Sequence, residues 1–158
     1  MIFIDMDGVL AKWEETSIEE TFKPGYFARR EVEGKIAELI HRLMAAGKNV
    51  AILSAVYTEG TAWADKESWL KSHGLGDIPR IFVPYGEDKN KYIVPDEHIP
   101  VLVDDFSKNL HAWTRAGYRG VKFYNGINGH HGTWTGYSID HRMTVDQMYT
   151  VVKAVAEA

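Results

Sequence analysis

The chain has 158 residues, 45% hydrophobic and 25% charged, the proportions of one ordinary globular domain and not of a disordered, collagenous or coiled-coil chain. Its 18 basic and 22 acidic residues leave a net charge of −4, which argues against a general nucleic-acid binder and makes any nucleotide partner a small ligand rather than a polymer. The absence of cysteine excludes disulfide scaffolds, zinc–cysteine sites and thiol catalysis and fits a reducing, cytoplasmic setting; the opening MIFIDMDG is unlike a signal peptide, and no apolar run is long enough to span a membrane.

Short apolar runs alternate with helical periodicity. Residues 2–4 form an uninterrupted apolar run bounded by acids, the pattern of a strand buried on both faces. Residues 11–30, aromatic and charged, do not fit the alternation. A helix is expected over 31–46, where Val32, Ile36, Leu39, Ile40, Leu43 and Met44 keep helical spacing and Gly47 is a fitting stop. A strand follows at 50–53, then a helix over 60–72 with Trp63, Trp69 and Leu70 inward. Strands are expected at 81–83 and 101–103. The next helix starts at Ser107 as N-cap and runs through Leu110 and Trp113 to Gly117, before a strand at 121–124. Residues 125–141, dense in Gly, His and Asn, read as a second irregular segment. The last helix begins at Thr144, which forms a capping-box pattern with Gln147 and places Val145, Met148, Val152 and Val155 on one stripe. This alternation predicts an α/β sandwich of three layers around a central parallel sheet, with no internal repeat or linker. Ligands of such sheets bind beyond the carboxyl ends of the strands, so chemistry is sought just after each apolar run.

After the first run comes Asp5-Met6-Asp7-Gly8-Val9. Residues two apart on an extended chain point the same way, so Asp5 and Asp7 share one space, and Gly8 lets the backbone turn sharply. Two carboxylates so close need a cation or a shared proton; the alternative is an acidic turn with no further role. Asp104-Asp105 follows the fourth run in the same way. Four carboxylates converging on one sheet edge call for a metal, and hard oxygen donors point to Mg2+. After the second run, Ser54 and the backbone amide of Ala55 suit a phosphate oxygen, although a serine there also serves as a plain turn former. After the third, Lys89 or Lys91 could balance the carboxylates and hold a phosphate, or sit solvated in a polar loop.

Acid pair, hydroxyl, lysine and acid pair, at successive strand ends, resemble the four motifs of the haloacid dehalogenase (HAD) superfamily of phosphohydrolases. The resemblance implies a Rossmann-like core spanning 1–158 as one domain, with a reduced cap at about 11–30. It implies that Asp5 attacks phosphorus to form an aspartyl-phosphate, and that Asp7 protonates the leaving oxygen and then activates water. It implies Mg2+ held by Asp5, by Asp7 through its backbone carbonyl and by Asp104, with Asp105 behind the direct ligands. Ser54, Ala55 and Lys89 would then hold the phosphoryl oxygens. Within the superfamily, Asp5-Met6-Asp7-Gly8-Val9-Leu10-Ala11, Pro24-Gly25-Tyr26-Phe27 and Asp88-Lys89-Asn90 resemble the 5′(3′)-deoxyribonucleotidases. That resemblance selects Lys89 over Lys91 and implies a nucleoside monophosphate substrate. Here only about forty residues separate Leu10 from Val50, fewer than the larger helical cap of that family requires, and Leu53-Ser54-Ala55 stands where it has Thr-Ser.

Among the cap aromatics Trp13, Phe22, Tyr26 and Phe27, the last two are the better candidates for stacking on a base; all four could instead pack the cap onto the core. His130 and His131 are adjacent in a loop without a third ligand at suitable spacing, which favours a structural or substrate-facing role over a metal site. Three further readings stand beside the nucleotidase: a sugar-phosphate phosphatase, a nucleic-acid 3′-phosphatase, which the negative charge disfavours, and a non-catalytic Mg2+-binding regulatory domain.

Overall fold

The continuous apolar runs become strands with both faces covered: β1 (Ile2–Ile4), β2 (Val50–Val56), β3 (Arg80–Pro84), β4 (Val101–Asp104) and β5 (Arg119–Tyr124), joined by a sixth, β6 (Tyr137–Asp140). The computed structural model describes residues 1–130 and 132–158. All pairings are parallel, in the order β3-β2-β1-β4-β5-β6. This is the doubly wound arrangement, in which the chain builds outward from β1 in one direction and then returns to build in the other. The reversal falls between β1 and β4, so a crevice opens at their carboxyl ends. Ile4 lies level with Ile52 and Val103. The residues that follow these three positions therefore emerge at one edge of the sheet.

A short helix, α1 (Ile18–Thr21), lies in the segment after β1. Helices α2 (Gly34–Ala45), α3 (Ala62–Ser72) and α5 (Val145–Glu157) cover one face, where Ile4, Ile52, Val103 and Phe123 meet Leu39, Leu43, Trp69 and Val152. Helix α4 (Ser107–Arg115) covers the other, where Phe3, Leu53 and Leu102 meet Leu110 and Trp113. The Thr144 capping box at α5 forms as its sequence predicts. Among the described residues, no helix is long and apolar enough to cross a membrane.

Several boundaries differ from the periodicity. Helix α2 begins at Gly34 rather than residue 31, because Val32 pairs with Ala11 in an antiparallel bridge and stays extended. Helix α3 begins at Ala62, after Gly60 turns with a φ of 78°. Trp63 is 56% exposed and only its edge meets Phe82, since six residues before the buried Trp69 is not a whole number of helical turns. Met44 is likewise exposed. Ser107 is the first helical residue rather than the cap; its hydroxyl accepts from Lys122 Nζ at 2.6 Å.

The largest difference is β6, which lies inside the segment expected to be irregular. Only Ile139 of its four residues is buried, so the strand carries too short an alternation to stand out. It pairs with β5 from Val121↔Tyr137 to Tyr124↔Asp140 and completes the core above α5. Ile139→Ala is expected to cost about 2–5 kcal/mol in urea unfolding, as for a core aliphatic truncation. A change within about 0.5 kcal/mol, typical of a surface loop, would contradict this placement.

Candidate active site

The end of β1 is extended by one bond, Asp5 N–H to Val103 O at 3.0 Å, which delivers Asp5 into the crevice beside β4. The chain then folds back on itself: Gly8 N donates to Ala11 O and Ala11 N to Met6 O, both at 2.9 Å. Gly8 has a φ of +82°, and a Cβ there would lie 2.2 Å from Asp105 Oδ2. Both the dihedral and the close approach demand glycine at this position.

Asp104, at the end of β4, is fully buried and accepts three hydrogen bonds. Its Oδ1 accepts from Phe106 N at 2.9 Å, and its Oδ2 from Asn109 Nδ2 at 3.0 Å and Lys89 Nζ at 2.7 Å. The same ammonium donates to Asp5 Oδ1 at 2.7 Å. Lys89 reaches this point from a 3-10 turn (Lys89–Tyr92) after β3 and is itself buried, whereas Lys91 is exposed beside Glu87 and Asp88. The sequence candidates Asp5, Lys89 and Asp104 thus form one contiguous array.

One buried cation faces three carboxylates here. Loss of solvation pushes Asp5 up to about 7; Asp104 and Asp7 add to the rise and Lys89 opposes it. Burial, then repulsion from Asp104 and Asp5, also pushes Asp105 well above the usual carboxylate range. Burial disfavours the charged form of Lys89, but Asp104 and Asp5 outweigh it and hold the ammonium above its ordinary value. Asp5, Asp104 and Asp105 each bring an oxygen within 4.8 Å of the others. An all-oxygen, charge-deficient donor set of this kind fits a hard divalent cation such as Mg2+.

Ser54 is buried at β2 and does not line the open cavity; its Oγ accepts from Lys66 Nζ at 3.0 Å. Lys66 is a site residue that the motif reading missed. It is 1% exposed, donates to Ala55 O at 2.7 Å and to Asp7 Oδ2, and lies 4.7 Å from the centre of the Phe27 ring. Its signal was available: three residues before the buried Trp69, it falls on the inward face of α3.

Above this floor opens a cavity of about 310 Å³ whose walls include Trp13, Phe27, Tyr57, Tyr85 and Phe106. Tyr57, Tyr85 and Phe106 follow the ends of β2, β3 and β4 and were not singled out from sequence. Of the two stacking candidates, Phe27 lines the cavity. Tyr26 lies outside the lining, buried edge-on to Phe27 and Trp13 with the Arg30 guanidinium over its ring. The segment 11–30 is pinned to α3 and β2 by Gly25 N–H to Asp65 Oδ2, Trp69 Nε1–H to Arg30 O, and the Thr21–Tyr57 hydroxyl pair. His130 does not line the cavity; it is stacked on Tyr124 with Nε2 3.6 Å from Asp140 Oδ2. His131 lies outside the described residues.

Ten solved chains resemble this structure. One is D,D-heptose 1,7-bisphosphate phosphatase from Burkholderia thailandensis, with a TM-score of 0.63 and 15% identity over 97% of both chains. The chain has the α/β fold of that phosphatase. Another is a chain of the Pnkp1/Rnl/Hen1 complex, with a TM-score of 0.62 and 14% identity; the match covers 87% of this chain and 46% of that one, so this chain spans about half its length. No family model and no curated protein matches the sequence.

Lys89→Met is expected to leave two buried carboxylates facing each other and to cost about 3–5 kcal/mol in denaturant unfolding. Millimolar MgCl2 should restore more stability in the variant than in the parent. A variant as stable as the parent would overturn the role of Lys89 as the compensating charge.

Proposed function

We propose that the chain is a Mg2+-dependent phosphomonoesterase that acts through an aspartyl-phosphate on nucleoside monophosphates, deoxynucleotides among them. The observation that carries this reading is the Asp5–Lys89–Asp104 array at the floor of an aromatic cavity, at the point where the strand order reverses.

Asp5 attacks phosphorus, and the P–O bond to the alcohol breaks as the new O–P bond forms. Asp7, across the cavity floor, gives its proton to the departing oxygen. In the second half Asp7 takes a proton from water, which attacks the phosphorus of the acyl phosphate, releases inorganic phosphate and restores Asp5. Lys89 and Lys66 lower the negative potential at the two reacting carboxylates, and Lys66 also fixes the Ala55 carbonyl and the Ser54 hydroxyl. Asp5, Asp104 and the Asp7 backbone carbonyl would hold Mg2+, joined by Asp105, which was expected behind the direct ligands but brings an oxygen within 4.8 Å of those of Asp5 and Asp104; when bound, the ion neutralises the cluster and polarises a phosphoryl oxygen.

One feature of the walls favours a nucleoside over a sugar phosphate: the lining is aromatic, which suits the π face of a base. Among the described residues that line the cavity, Lys89 is the one cation, and it is already committed to Asp5 and Asp104; this favours a monophosphate over a bisphosphate of either class, because a second phosphate meets no counter-charge. A sugar phosphate remains the second reading, supported by the full-length likeness to the heptose bisphosphate phosphatase.

Hydrolysis of p-nitrophenyl phosphate with and without EDTA, followed by a panel of nucleotides and sugar phosphates, tests the reading. Asp5→Asn should abolish turnover of every substrate while the fold persists; retained turnover above a few per cent of the parent's removes Asp5 as nucleophile. Tyr85 is 68% exposed, so Tyr85→Ala should leave folding intact. It is expected to raise KM for deoxynucleoside monophosphates about 5- to 150-fold, the equivalent of about 1–3 kcal/mol of stacking, and to leave glycerol phosphate unaffected. Equal losses on both substrates would mean that Tyr85 supports the shared phosphate site rather than a base, and would remove the stacking argument for a nucleoside.

A further inference from the structure

We propose that Asn125 and Asn128, in the turn after β5, are positioning residues that clamp the two acidic strand ends together and orient Asp105 toward Asp5 and Asp104. The proposal rests on the phosphatase reading for its consequence, not for its geometry.

Each of the two amides faces two ways. On the oxygen side they close the turn: Asn125 Oδ1 accepts from Ile127 N at 2.9 Å and Asn128 N at 3.0 Å, and Asn128 Oδ1 accepts from Asn125 N at 3.1 Å. On the nitrogen side they reach into the site. Asn125 Nδ2 donates to the Gly8 carbonyl at 2.9 Å and to Asp105 Oδ2 at 3.3 Å. Asn128 Nδ2 donates to the Asp105 carbonyl at 3.0 Å and to Phe123 O at 2.8 Å. Asp105 is therefore gripped at its backbone by one asparagine and at its side chain by the other. The Gly8 peptide, one residue beyond Asp7, is held by the same hand.

A turn alone needs only the oxygens, and an aspartate supplies those equally well. The nitrogens explain why both positions carry amides. They are neutral donors placed against a crowded set of carboxylates, where an aspartate would add to the repulsion and a lysine would compete with Lys89. The fit is close: a Cβ on Gly8 would also lie 3.1 Å from Asn125 Nδ2. Groups that orient metal-binding carboxylates from behind in this way typically contribute 10–100-fold to metal affinity or activity.

The test uses Asn125→Ala, Asn128→Ala and the milder Asn125→Ser, in the full chain. Mn2+ binding followed by electron paramagnetic resonance serves as the readout independent of turnover. The variants are expected to bind Mn2+ about 10- to 100-fold more weakly and to lose kcat by a similar factor, with KM little changed. In a cycle with Asp105→Ala, the second substitution should weaken Mn2+ binding no further. Variants that lose only urea stability and keep Mn2+ affinity and kcat would make the turn merely structural and overturn the proposal. So would a wild-type chain that binds no Mn2+. A wild-type chain that binds Mn2+ but hydrolyses no phosphomonoester overturns the phosphatase reading alone, and the Mn2+ comparison still decides the clamp.

Discussion

The ammonium of Lys89 between Asp5 and Asp104 is the contact on which the rest of the arrangement depends. It joins three separate stretches of chain, the ends of β1 and β4 and the turn after β3, at a point where all three are buried. Without it, two desolvated carboxylates would face each other with no compensating charge, and a third, Asp105, would crowd them. The pair is therefore a constraint on folding as well as a site. A buried ion pair contributes little net stability, yet removing one partner is costly. The chain is committed to keeping all its members or none.

The parallel sheet makes this concentration of charge reachable. Because every strand runs the same way, each carboxyl end arrives at one edge, and the register places Ile4, Ile52 and Val103 level. The residues that follow inherit that alignment without further design. The reversal of strand order then leaves the crevice between β1 and β4 uncovered by a crossover, and the loops after β2, β3 and β4 raise Tyr57, Tyr85 and Phe106 as walls around it. The segment 11–30 supplies the remaining wall and is tied to α3 by Asp65 and Trp69, side chains of the same helix that provides Lys66.

What was legible in the sequence follows from how each signal is encoded. Buried strands announce themselves as unbroken apolar runs, and acids directly after such runs fall at the carboxyl edge; hence β1 to β5, Asp5, Asp7 and Asp104 were readable, whereas Lys89 was told from Lys91 only by the resemblance of Asp88-Lys89-Asn90 to a family motif. Signals carried by few residues were not. β6 offers one buried side chain, Ile139, and is held by backbone pairing and by the packing of α5, neither of which leaves a local pattern. Lys66 was hidden for a different reason: a lysine on a helix reads as solvated until its phase relative to Trp69 is counted. Tyr26 and Phe27 are neighbours in a motif, but a 3-10 turn sends one into the cavity wall and packs the other beneath Arg30, and only the local backbone decides which. Asn125 and Asn128 lay in a segment that read only as irregular; the bonds that give them a place in the site reach Asp105, 20 and 23 positions away, and, for Asn125, Gly8, 117 positions away, and no local pattern encodes these.

The two carboxylates of the first motif end up in different surroundings, and this division bears on their chemistry. Asp5 and Asp7 are two residues apart and share a cavity, yet each has its own buried lysine, Lys89 for one and Lys66 for the other. Asp5 is buried beside Asp104 and is pushed up to about 7 by desolvation. Asp7 is partly exposed at the cavity edge, where solvent reaches it. The rise at Asp5 belongs to the cluster without a cation; a divalent ion on Asp5 and Asp104 would reverse it and keep Asp5 a carboxylate able to attack. Under the proposed reaction the buried member is the one that bonds to phosphorus, where exclusion of water protects the acyl phosphate, and the exposed member is the one that must exchange a proton with each departing alcohol and each arriving water. The tight turn at Gly8 keeps both on one short loop, and its closure against Asp105 ties that loop to the acidic cluster at the end of β4.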